Sequence, residues 1–292
     1  MNKNKRKISD TLIITYLLTF VLIFVGQILG ILLELLPITS SSDAWITGTL
    51  YAECIGVWLL TVLYMGLTKK NRPILKEIGT APSGNNIKFF LLGILLGFVL
   101  NGICILIAWL HKDIYLYYDG FRPISFVLIL VAVFIQSSSE ELLCRGFMYQ
   151  RLLKSYSNPL VAIIGNAIFF ALLHLLNDGV TILSILNIFL SGIMFTLIVY
   201  YFDSLWCAMA AHTAWNFTQN IIFGLPNSGI VLPYSVFKLD ASTAVDSFAY
   251  NVGFGIEGTI MADIVLLAAC IVLYLWGSKY AASNRRDRTE EI

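Results

Sequence analysis

Apolar residues fall into eight long runs separated by short polar connections. The runs lie at approximately 11–37, 45–67, 89–110, 124–139, 159–176, 180–202, 204–225 and 258–276. A bilayer core about 30 Å thick takes about 20 apolar residues as helix. The pattern therefore predicts an all-α polytopic membrane protein of about eight transmembrane helices. The fourth and fifth runs are short, and both end in polar residues. The first run is too long for a cleavable signal peptide. It is followed by Glu34 and Leu35-Leu36-Pro37 rather than by a small-residue cleavage site. It reads as a retained first span.

Composition agrees and narrows the class. Of 292 residues, 58% are hydrophobic and 13% charged, with a mean hydropathy of +0.80. An ordinary soluble domain carries about 25% charged residues. A disordered chain, a collagen and a secreted disulfide scaffold are excluded, and a soluble enzyme lacks the charge to cover its surface. The net charge of +1 supplies no field toward nucleic acid. Five cysteines, Cys54, Cys104, Cys144, Cys207 and Cys270, have no metal-type spacing and read as buried thiols.

Lysine and arginine set the expected orientation. Eight spans put both termini on one side, and that side collects 16 of the 19 basic residues; Lys112, Arg122 and Lys238 fall on the other. Both termini are expected in the cytoplasm. The chain reads as a single integral membrane domain, 1–292, with no soluble domain. The longest connection, about 226–257, is expected outside the cytoplasm, and 283–292 reads as a charged disordered tail. No internal repeat is visible, which weighs against a transporter of duplicated halves.

Polar groups within apolar runs are costly and are candidates for function. The strongest cluster is Ser137-Ser138-Ser139-Glu140-Glu141-Leu142-Leu143-Cys144-Arg145. A plain interfacial helix start, with serine caps and early acids, explains it equally well in isolation. Glu141 and Arg145 are spaced i,i+4 and can pair. Glu140 points about 100° away from Glu141 and is left for another part of the bundle, where a carboxylate can act as a general base. Of the three histidines, His111 reads as a solvated connection residue, while His174 and His212 lie within apolar runs. His174 shares a helix face with Phe170, and His212 with Asn216. The His212–Asn216 pair offers two donors on one face, as an oxyanion needs. Glu53 and Asp263 are further intramembrane acids, expected to line a cavity or pair with polar neighbours.

Depth poses a problem. A straight helix from Ile124 puts Glu140 about 24 Å in, whereas His174 lies about 22 Å from the opposite face. The two meet if the helix carrying Glu140 is tilted and runs on through Arg151, or if the fifth span starts below the membrane surface. The near-continuous helical sequence from Phe126 to Leu153 suits the first option.

Glu-Glu-x-x-x-Arg, then Phe-x-x-x-His, then His-x-x-x-Asn, on separate hydrophobic helices, resembles the CPBP family of intramembrane proteases. That family takes in CAAX proteases, among them the type II CAAX prenyl endopeptidases, and bacteriocin-processing enzymes. The resemblance covers a core of about 124–225 and implies helices enclosing an intramembrane active-site cavity. By it, Glu140 corresponds to the water-activating glutamate, with Glu141 and Arg145 completing its motif. His174, supported by Phe170, helps position the water. His212 and Asn216 match the pair proposed to stabilise the oxyanion. The family is commonly labelled metalloprotease, and a metal-free glutamate mechanism is also proposed for it. A divalent metal such as zinc would take His174, His212 and Glu140 as ligands and leave one position open. No His-Glu-x-x-His motif exists in the chain, so the cofactor stays open between a metal and none.

The implied partners are a peptide or membrane-protein substrate and the lipid bilayer, with no nucleic acid. Residue usage looks bacterial, which points to a plasma membrane and to bacteriocin maturation, self-immunity or processing of other membrane proteins. Two other classes stay open: a non-catalytic immunity or scaffold protein, and a small-molecule or ion transporter using the buried polar groups as a relay.

Overall fold

Each apolar run becomes helix in the computed structural model, which describes residues 11–35 and 40–290. The first run forms α1 (Leu12–Ile31). The second breaks at Glu53-Cys54 into α2 (Asp43–Ala52), capped by the Ser42 hydroxyl, and α3 (Ile55–Leu67). The third forms α4 (Ile87–Leu110), started by the Asn86 side chain. A short strand β1 (Leu116–Tyr118) precedes α5 (Pro123–Glu141), which starts with proline in its first turn. α5 passes through a π-helical turn, Leu142–Tyr149, into α6 (Gln150–Ser155). The fifth run forms α7 (Pro159–Leu172), capped by Asn158. The sixth forms α8 (Ile182–Phe202), capped by Thr181 and Ser184 in a reciprocal box. The seventh forms α9 (Leu205–Asn216), extended by a second π-helical turn, Phe217–Ile222. After β2 (Phe237–Leu239) the last run forms α10 (Ile260–Glu290).

Among the described residues, six helices are long and apolar enough to cross a membrane: Leu12–Ile31, Asp43–Leu67, Ile87–Leu110, Pro123–Ser155, Ile182–Phe202 and Ile260–Ala281. The fold is thus all-α and polytopic. The other two runs differ for physical reasons. α7 has only 14 residues. α9 and the π-helical turn after it carry His212, Asn216, Gln219 and Asn220, all buried among the other helices. The segment expected as a disordered tail follows α10 as helical backbone to Glu290, and residues 291–292 lie outside the described ones. All five cysteines are free thiols.

Glycine lets α9 reach the middle of the bundle. A Cβ on Gly97 of α4 would lie 2.1 Å from the Ala211 carbonyl oxygen, and one on Gly93 would lie 2.3 Å from that of Cys207. Two glycines four residues apart thus form a flat face on which α9 rests backbone to backbone. Gly26 does the same for α1 against Val57 of α3, and Gly30 rests on the Glu53 carbonyl in the break before α3.

The connection after α9 is anchored by that helix's own amides. Gln219 accepts from Asn101 Nδ2 at 2.7 Å and donates to the Pro226 carbonyl at 2.6 Å. Asn220 Nδ2 donates to the Leu225 and Ile230 carbonyls at 3.1 and 3.2 Å. Amides too polar for lipid are spent on loop carbonyls. Further along, β2 pairs antiparallel with β1, and Ser247 Oγ donates to Asp113 at 2.6 Å. Segment 226–257 is therefore ordered over one end of the helices.

Candidate active site

Glu140, His174, His212 and Asn216 line one cavity of about 340 Å³. Its walls come from α1, α2, α5, α7, α8, α9 and the connection after α9. The continuous helix that one route to common depth needs is present: α5, the π-helical turn and α6 run without a break over Pro123–Ser155. His174 lies just past the C-terminus of α7.

Beneath the cavity lies a charged knot. Arg145 Nη1 donates to Glu141 Oε1 at 2.9 Å, with both side chains wholly buried. Two buried charges of opposite sign tolerate each other only when paired and hydrogen-bonded. Here Arg145 also donates to the Gly192 carbonyl at 3.1 Å, and its guanidinium lies 4.5 Å from the Phe170 ring centroid. Phe170 in turn packs its ring edge against His174 and His212. The π-helical turn that carries Arg145 takes carbonyls off the ordinary helical ladder. One of them, Cys144, accepts from Asn166 Nδ2 at 2.6 Å.

Glu141 also holds the first histidine. His212 Nδ1 lies 3.0 Å from Glu141 Oε1. A carboxylate paired with arginine can only accept, so Nδ1 carries the proton. His212 Nε2 is left facing the cavity, 3.9 Å from Glu140 Oε2. Phe195 stacks on the imidazole at 5.1 Å and fixes its plane.

The second histidine is fixed by the way its helix ends. The His174 N–H turns to the Ala171 carbonyl at 3.1 Å, an i,i+3 bond. The Phe170 carbonyl, which a further α-turn would have used, is therefore orphaned. His174 Nδ1 donates to it at 2.9 Å. A carbonyl only accepts, so here too Nε2 is left as the free ring nitrogen. The shared helix face expected for Phe170 and His174 thus becomes a bond from ring to backbone.

Glu140 differs from its neighbour. It is partly exposed to the cavity, and its Oε1 accepts from Gln136 Nε2 at 2.6 Å. Asn216 Nδ2 donates to Gln136 Oε1 at 3.1 Å and to Ser137 Oγ at 3.2 Å. The pair of donors expected from His212 and Asn216 is thus altered. The free nitrogen of a neutral His212 accepts, and Asn216 is already engaged with the wall of α5.

Three ligands for a metal do not converge. Among the described residues, no group of three or more His, Cys, Asp or Glu side chains is arranged to hold a metal ion. The ring bonds do not decide this, because His212 Nδ1 on Glu141 and His174 Nδ1 on a backbone carbonyl leave each Nε2 free, as metal-bound histidines also do. The misfit of His174, His212 and Glu140 lies in their spacing.

Residues 122–218 match the family described as type II CAAX prenyl endopeptidase Rce1-like. This Rce1-like segment covers about a third of the chain and includes Glu140, Glu141, Arg145, Phe170, His174, His212 and Asn216. The match supports a protease acting on peptide in a membrane context. No curated protein matches the chain.

The sequence reading missed cavity groups on both sides of these motifs. Gln136 lies inside the Rce1-like segment, four residues before Glu140, and that spacing was its signal. Asn227, Ser228 and Glu257 lie beyond it. Glu257 accepts from Trp215 Nε1 at 2.9 Å and from the Ser228 backbone and hydroxyl. Burial pushes its carboxyl above the usual carboxylate range, opposed by the Ser228 and Trp215 donors and by nearby His174. Asp263 accepts from Asn187 at 3.1 Å, a pairing of the kind expected for it.

Proposed function

We propose that the chain is an intramembrane endopeptidase in which Glu140 activates water. The observation that carries this reading is the opposed use of the two glutamates. Glu141 Oε1 is spent on both Arg145 and His212 and its Oε2 is buried, while Glu140 keeps Oε2 turned toward His212 Nε2 in a cavity shared with His174. Two acceptors, Glu140 Oε2 and His212 Nε2, lie 3.9 Å apart where a donor such as water suits them, with His174 on the wall of the same cavity.

Glu140 Oε2 takes a proton from that water. The oxygen attacks the carbonyl carbon of a peptide bond, and the carbonyl becomes an oxyanion. Asn216 exchanges its bond to Ser137 for one to this oxygen. His212 becomes a second donor when Nε2 takes a proton from solvent, returned when the oxyanion collapses, because Glu141 supports the imidazolium. One such donor is typically worth about 10²–10³ in rate. When the C–N bond breaks, Glu140 returns its proton to the leaving amine. The water's proton thus passes through Glu140 to the leaving amine, and no step is routed through a metal. The substrate is a peptide or a segment of a membrane protein, and the site is placed in a membrane with both termini cytoplasmic.

The test is cleavage of a quenched-fluorescent peptide library by purified protein in detergent. Wild type is expected to cleave, Glu140→Ala to lose cleavage, and a chelator to leave the rate within about twofold. Glu140→Ala activity equal to wild type would falsify the mechanism. Flux through reconstituted liposomes without cleavage favours a transporter, and a folded wild type with neither favours a scaffold.

A further inference from the structure

The amides around Asn216 have a direction, and it starts at Glu140. An ionised carboxylate only accepts, so Gln136 presents its NH2 to Glu140 Oε1. The Gln136 carbonyl oxygen then faces away and must itself accept. It does so from Ser137 Oγ at 3.0 Å and Asn216 Nδ2 at 3.1 Å. With its NH2 used there, Asn216 turns Oδ1 the other way, where Asn227 Nδ2 donates at 3.1 Å. Each amide orientation is forced by the one before it, so the sense of the whole chain follows from the charge on Glu140.

The far end is held rigidly. Asn227 and Ile230 exchange backbone bonds at 3.0 and 2.9 Å. Ser228 has a left-handed backbone (φ 48°), which costs a residue with a Cβ unless its surroundings hold it. Glu257 accepts from its N–H and hydroxyl, and Asn177 Nδ2 donates to its carbonyl at 2.9 Å. Asn177 follows His174 by three residues, so the clamp joins the segments bearing both histidines. Asn227, Ser228 and Glu257 lie outside the stretch that matches the protease family.

We infer that Asn227 and Gln136 are positioning residues, which form with Asn216 a one-directional amide relay. The relay fixes which side of Asn216 carries its N–H groups: one stays on Gln136 Oε1, and the other, now on Ser137 Oγ, can pass to the reacting carbonyl, while Glu140 Oε2 is left as the working oxygen. This deepens the reading of the site as a protease and rests on it.

The experiment uses full-length protein in detergent micelles and the peptide substrate selected from the library. Asn227→Asp keeps the shape but puts an acceptor where the relay needs a donor. Gln136→Glu does the same beside Glu140, and Gln136→Leu removes the link without adding charge. Because small misplacements of reacting groups can cost about 10²-fold, each is expected to lower kcat by at least about tenfold. KM should stay within about twofold, with an unfolding midpoint near that of wild type. Asn227→Ala should lose less, since a water can supply the missing donor. Gln136→Leu decides the matter if either acidic variant fails to accumulate. Wild-type kcat in the folded variants, or a change confined to KM, overturns the relay alone. A wild type without Glu140-dependent cleavage overturns the protease reading, and the relay with it.

Discussion

Two regions of this molecule lie one residue apart in sequence and could hardly differ more. The knot of Glu141, Arg145 and His212 is closed: its charged groups are buried and paired, and Gly192, Thr196 and Phe170 surround the guanidinium. The wall formed by Gln136, Glu140 and Asn216 is open, with neutral amides and one carboxylate facing a cavity. The closed region holds its partners still, so the open one can react without losing its shape. A carboxylate in a membrane protein is therefore not functional by charge alone; what matters is whether its remaining oxygen is sealed in, as Glu141 Oε2 is, or opens on a cavity, as that of Glu140 does.

The comparison breaks most visibly at its two ends. Glu140→Gln should lower kcat by about 10²–10⁴, the usual worth of a general base, while the unfolding midpoint stays near wild type. Arg145→Ala should do the reverse, leaving Glu141 buried without its partner at a cost of about 3–5 kcal/mol. Thermal unfolding in detergent reads this; an Arg145→Ala protein as stable as wild type would remove the distinction. Glu141→Gln sharpens the boundary between the regions. It should cost about 1.5–3 kcal/mol in stability, as for hydrogen bonds to charged groups, and also slow cleavage, because His212 loses the partner that fixes its ring. Stability loss with full activity would show that His212 needs no such partner. Thr196→Val is the smallest test. The hydroxyl donates to the Gly192 carbonyl at 2.7 Å and lies 3.5 Å from Arg145 Nε. Its loss should cost about 1 kcal/mol and leave kcat unchanged.

Much of this was legible in the residues, for identifiable reasons. The helices announced themselves because lipid demands long apolar runs, and breaks such as that at Glu53-Cys54 are minor within them. The pairing of Glu141 with Arg145 followed from spacing, since i,i+4 neighbours share a helix face whatever surrounds them. The seventh run was readable as helix but not as the helix others enclose. That depends on the glycine face of α4, which means little until its partner is known. The free nitrogens of both histidines were not readable, because each depends on a partner distant in sequence or on where a helix stops. Asn227 and Glu257 escaped notice for another reason. They lie in a connection, where polar residues are ordinary and carry no cost that would single them out.

The π-helical turn at Leu142–Tyr149 has a consequence for how this helix tolerates change in length. A π turn takes more residues per revolution than an α turn, so the stretch stores surplus chain. Removing one residue there and restoring ordinary winding would offset each other: about 100° goes with the residue, and about 10–15° comes back at each of those that remain. Arg151, which donates to Asn71 at 3.2 Å, and Leu152, in the core, would keep roughly their present bearings relative to Glu140. The turn thus works as one residue of slack between the half of the helix that faces the cavity and the half that anchors it. A one-residue deletion inside the turn would draw on that slack, whereas one in the ordinary helix on either side would turn all that follows by about 100°.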